Sequence, residues 1–211
     1  MDFSIGMALV DYIPVVLFFF ATAILMRDLY GKMTKASFAL CAAGSLNIII
    51  AGAMKATWKL LYAANICNFE ALNNMFFPTQ SLGFLLAGIG IVMMLVKAKG
   101  KEKKLMGAAA APAVFKGTFV FVSLMVIGLG LIDAVLCILS VKLKKPALIA
   151  LFVLSFICSL CMGYLSSKDF AEAAMNWIAE GVNVVGQGAL LGGAYLLHKN
   201  GLADLKLEVE A

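Results

Sequence analysis

The chain has 211 residues, 63% of them hydrophobic and 14% charged, with a formal net charge of +5 and a mean hydropathy of +0.99. Soluble domains carry about 25% charged residues, and no polar segment here exceeds roughly 20 residues, so a water-soluble domain is excluded. The positive charge lies in short stretches beside apolar runs, where it orients a chain and meets lipid headgroups rather than nucleic acid.

The first stretch, MDFSIGMALVDY, lacks a basic leader segment, so no cleaved signal peptide is expected. The uninterrupted apolar part after Asp11, Tyr12–Met26, reaches only ~22 Å as a helix, short of a hydrocarbon core of about 30 Å. Span 1 therefore has to recruit Met7–Val10, which draws Asp11 into the bilayer. Residues 27–35 form a polar turn. Span 2 covers Ala36–Ala56 and closes on Lys55, Trp58, Lys59 and Tyr62. A connection follows with Glu70, Asn73 and Asn74, and Pro78 suits the first turn of span 3, Phe76–Val96.

Residues 97–116 are the one long interruption, with six lysines and a single acid, Glu102. They divide the chain into a first three-span half (1–96), a basic linker and a second three-span half with a short tail (117–211). Span 4 is Thr118–Leu139 with Asp133 inside it, span 5 is Ala147–Leu165, and span 6 is Ile178–Leu197. The expected fold is an all-α, polytopic bundle of six transmembrane helices. Halves of three spans, joined without a further crossing, imply an inverted repeat. The segment from Gln80 laid on that from Gln187 gives this slight support.

Alternate connections carry ten basic residues against seven. The positive-inside rule then expects a cytoplasmic linker with both termini outside, although Lys142, Lys144 and Lys145 count the other way. The expected setting is a multi-pass bacterial plasma membrane protein. Its partners would be the lipid bilayer, a small polar or cationic solute, and a second copy or another membrane protein, with no nucleic acid.

Intramembrane acids are costly and usually face a bundle interior or a hydrated route. With an even-numbered topology, Asp11 and Asp133 would share one half of the bilayer at similar depth. Lys55, Lys59, Glu70, Asn73 and Gln80 would gather there as a vestibule. In span 6, Glu180, Asn183 and Gln187 stand at i, i+3 and i+7, on one helix face. Asp11, Asp133, Glu180, Asn183 and Gln187 are thus the candidate substrate or ion path. Lys55 and Lys59 with Trp58 and Tyr62 read first as snorkelling lysines in an aromatic belt, and second as a mouth that attracts anions. Gly83 with Ala87, and Gly188 with Gly192, are small-residue steps for helix packing, within the bundle or across a dimer.

Cys158 and Cys161 form C-x-x-C inside span 5, but membrane thiol oxidoreductases use a second loop pair where this chain has only Cys67. Haem ligation is poorly served, because His198 is the only histidine. No catalytic residue, metal site or cofactor is expected. The function expected is transport or conduction of a small polar or cationic solute. The alternatives are a non-catalytic membrane subunit that docks a partner through glycine-rich faces and the basic linker, and then a thiol oxidoreductase.

Overall fold

A computed structural model describes residues 4–98, 118–165 and 173–207. The described residues are helical throughout, without a strand. In chain order the helices are α1 (Ile5–Val10), α2 (Tyr12–Leu29), α3 (Lys35–Ala63), α4 (Glu70–Asn74), α5 (Phe76–Ala98), α6 (Thr118–Lys142), α7 (Ile149–Leu165) and α8 (Ala173–Lys199). Five helical runs are long and apolar enough to cross a membrane: Ile5–Lys32, Lys35–Ala63, Glu70–Val96, Val120–Lys142 and Pro146–Leu165. That is the composition of a multi-pass membrane protein. Apolar side chains such as Phe19, Phe20, Leu46, Ile127 and Ile157 are exposed on its outside, as lipid-facing residues are.

Local chemistry explains the breaks. Pro14 has no N–H to offer the Val10 carbonyl, so the first run is interrupted at Asp11, between α1 and α2. The run nonetheless carries Asp11 into its interior, as the length argument requires. Ser4 and Thr34 cap α1 and α3 by accepting from the Met7 and Ser37 N–H groups, each at 3.1 Å. Gly201 ends the last helical segment with φ of 86°, a left-handed conformation that glycine adopts without strain.

Close glycine contacts set the helix directions. On α3 and α5, Ser37 donates to the Gly90 carbonyl at 2.6 Å and Cys41 faces the Ala87 carbonyl. A Cβ placed on Gly83 would lie 2.8 Å from Ile48 Cγ1, so these two helices are antiparallel and their backbones touch. Gly83 and Ala87 lie on the face of α5 that meets α3. On α7 and α8, Gly186 meets Cys158 and Gly193 meets Phe152, again antiparallel. Gly163 meets Val122 and Gly130 meets Phe156, which makes α6 and α7 antiparallel too. Asp11 lies near Glu180 and Asp28 pairs with His198, so α2 and α8 are parallel.

These pairings have a consequence that differs from the sequence expectation. Helices α2, α5, α6 and α8 all start at the end of the bundle holding Asp11 (the cavity end). They finish at the end holding Asp28 (the basic end). The second trio runs in the same sense as the first, so the inverted relation is not found. Residues 4 and 207 lie at opposite ends of the bundle. The connection at 99–117, most of the basic linker, lies outside the described residues. Counting alternate loops assumed that this connection returns to its own face.

Candidate solute cavity

A cavity of about 310 Å³ occupies the cavity end of the bundle. That size is at the lower bound for small-molecule pockets. From α2 it receives Asp11 and Phe18; from α3, Gly52, Lys55 and Lys59; from α5, Phe76, Phe77 and Gln80. The α6 wall is apolar, with Val122, Val126 and Leu129, and α8 presents Asn176, Glu180, Asn183 and Gln187. Asn73 stands at its rim. The i, i+3, i+7 stripe of α8 is therefore brought onto Asp11 and both lysines of α3.

At the centre is an acid–base–acid cluster. Lys59 Nζ stands 2.5 Å from Asp11 Oδ2 and 3.8 Å from Glu180 Oε1, with all three side chains at most 10% exposed. Beside it, the Tyr12 and Thr57 hydroxyls share a hydrogen bond of 2.7 Å that fixes α2 against α3. Lys55 Nζ lies 4.3 Å from the centroid of the Phe76 ring, a cation–π contact of about 0.5–2 kcal/mol. Among the described residues Lys55 has no ion-pair partner. Several buried acceptors are unused: Asp11 Oδ1, Glu180 Oε2, Gln80 Oε1 and Gln187 Oε1.

Several sequence expectations need correction. Lys59 and Trp58 do not snorkel: both are buried, Lys59 in the cluster and Trp58 donating its Nε1–H to Asn68 Oδ1 at 2.9 Å. Glu70 is not in the vestibule. It is exposed, accepts from Asn68 Nδ2 at 2.9 Å, and so closes the clasp that holds the α3–α5 connection. Among the described residues Gly188 and Gly192 are not packing steps, because a Cβ on either meets nothing within 4 Å. Gly186 and Gly193, one register over, do that work.

Asp133 is not beside Asp11. It lies eleven residues past Val122, ~16 Å of helix rise toward the basic end. It continues the stripe Val122, Val126, Leu129, one turn beneath the cavity wall. There it is 4% exposed and neither carboxylate oxygen has a hydrogen-bond partner. Lys55 and Lys59, the partners expected if it were structural, belong to the other acids.

Two features were missed. Asn176 is buried in the cavity wall; it stands four residues before Glu180, so the same periodicity reaches it. At the basic end, buried Asp28 accepts from Arg27 Nε at 3.0 Å and pairs with His198 Nδ1 at 2.9 Å. Lys32 donates to the Ala203 carbonyl at 2.6 Å. No local pattern announces contacts between residues so far apart in the chain. Cys158 is buried against Gly186, Cys161 is exposed, and both thiols are free. Among the described residues no group of His, Cys, Asp and Glu could hold a metal ion. No family model, curated protein or solved structure matches the chain.

Proposed function

We propose that this chain is a membrane transporter or channel for a small polar solute, bound in the cavity at Asp11, Lys55, Lys59 and Glu180. The carrying observation is the gathering of two buried acids, a buried lysine and a half-buried one around one void inside an apolar bundle. Charged groups inside a membrane are costly and mark solute or proton routes. The helix break at Asp11, beside the void, fits the discontinuous helices that form such sites. The charge balance favours a polar solute over a bare cation, since the two lysines repel cations at close range.

In this reading α8 also crosses the membrane. It is long enough at 27 residues, and its polar stripe, which lowers its hydropathy, faces the cavity instead of lipid. Asp133, on the cavity-facing stripe of α6, is the next polar station toward the basic end. That end faces the cytoplasm. Arg27, Lys32, Lys35, Lys142, Lys144 and Lys145 all gather there, as do Lys199 and Lys206.

The test is uptake of radiolabelled small polar solutes into liposomes that hold the purified protein. Saturable uptake is expected, reduced at least tenfold by Glu180→Gln in protein that still elutes as a single species. Absence of uptake for every solute class would favour the second reading, a membrane subunit. One observation supports that alternative: Gly181, Gly188 and Gly192 form a face of α8 that no other part of the described chain covers.

A further inference from the structure

The geometry points to a small zwitterion, a carboxylate joined to a protonated amine, as the occupant of this cavity. This inference rests on the solute-binding reading and names its ligand class.

The argument concerns which charges are already used. Lys59 is neutralised by Asp11, with Glu180 Oε1 at 3.8 Å. Lys55 is different: it lines the cavity, it is held by the Phe76 face, and it has no carboxylate partner among the described residues. A ring face weakly compensates a half-buried ammonium, whereas an incoming carboxylate compensates it well. Lys55 is therefore an anion anchor.

The unused groups are of the opposite kind. Glu180 Oε2, Gln80 Oε1 and Gln187 Oε1 are buried acceptors without donors. Leaving such groups unpaired costs about 1–3 kcal/mol each, more for a charged one. Donors on the ligand would satisfy them, and a protonated amine brings several at once. Gln80 stands one turn beyond Phe76, and so one turn deeper than Lys55. Glu180 meets Lys59 one turn nearer the cavity end, so the unused acceptors flank Lys55 on both sides.

The other classes fit less well. A simple cation finds the acceptors but leaves Lys55 unpaired and close. A simple anion finds Lys55 but faces the unpaired oxygens of Asp11, Glu180 and the two glutamines. A zwitterion uses both sets and leaves the cluster's charge unchanged. The apolar wall of Val122, Val126 and Phe84 then accommodates a short aliphatic portion.

Trp58 lines the cavity and serves as a reporter once Trp177 is replaced by Phe. Fluorescence titrations of the purified protein would use L-leucine and γ-aminobutyrate as zwitterions. Leucinamide lacks the carboxylate, N-acetyl-leucine lacks the charged amine, and sodium and isovalerate serve as plain ions. At least one zwitterion should bind saturably, and loss of either charged group should weaken binding at least tenfold. Lys55→Met should abolish the preference for acid over amide, and Lys55→Arg should keep it. Equal binding of amide and acid in the wild-type protein would overturn the proposal, and that comparison stands even if Lys55→Met fails to fold. Tightest binding by a plain ion, or liposome uptake of an uncharged solute without zwitterion binding, would overturn it while leaving the transport reading intact. Failure of every probe, with no uptake of any solute, would overturn both.

Discussion

Lys59 is the residue on which the cavity depends, because it brings positive charge to two acids buried together in an apolar bundle. Truncating one member of a buried ion pair costs about 3–5 kcal/mol, mostly from the charge left behind. Lys59→Met should therefore lower the detergent unfolding midpoint sharply. Adding Asp11→Asn should recover part of the loss, since the stranded carboxylate is removed. If the single and double variants lose the same stability, the two groups are not coupled. Asp133 gives the opposite expectation. Both its oxygens lack partners, and an ionised carboxylate is costlier to bury than an amide. Asp133→Asn should leave stability unchanged or raise it, while reducing uptake if the polar route passes this level. A clear drop in unfolding midpoint would show that Asp133 has a structural partner. The acids themselves were legible in the sequence, because each interrupts an apolar run. Their partners were not: Lys59 looks identical whether it snorkels or turns inward, and only the neighbouring helix decides.

At the scale of helices, most boundaries were legible because apolar runs of fixed length must match the bilayer, and Pro78 lies in the first turn of α5. Register was harder. The glycines of α8 recur every few positions, so composition alone cannot say which face is packed. The structure places Gly186 and Gly193 against α7 and leaves Gly188 and Gly192 uncovered. Substitution distinguishes the two faces. Gly83→Val or Gly193→Val would drive a side chain into a neighbouring helix, and overpacking typically costs 1–3 kcal/mol. Gly188→Val and Gly192→Val should change the stability of the isolated chain by no more than about 0.5 kcal/mol. Thermal unfolding of the four variants in detergent checks this. If Gly188→Val were as damaging as Gly83→Val, α8 would be rotated from the face described here, and its polar stripe would no longer meet Lys59.

For the whole molecule, direction was the property least available from the sequence, because it depends on a single connection. With 99–117 treated as a loop that returns to its own side, Lys142, Lys144 and Lys145 oppose the other basic turns and the orientation is nearly undecided. With α5 and α6 parallel, the same three lysines join Arg27, Lys32 and Lys35 at one end. Lys55 and Lys59 cease to count, since they are spent inside the cavity. Among the described residues the charge asymmetry becomes one-sided, and one-sided asymmetry sets orientation strongly. A reporter that is active only in the cytoplasm, fused after Ala211, should therefore be active. A cysteine placed in the exposed 65–70 connection, in a background with the native cysteines removed, should react with a membrane-impermeant thiol reagent added outside intact cells. One placed beside Lys144 should react only after the membrane is permeabilised. Should both react from outside, α6 would run opposite to α5. The contacts of Gly128 with Phe84 and of Gly88 with Leu131 would then be wrong, and Asp133 would return to the level of Asp11, restoring the arrangement in which it shares Lys55.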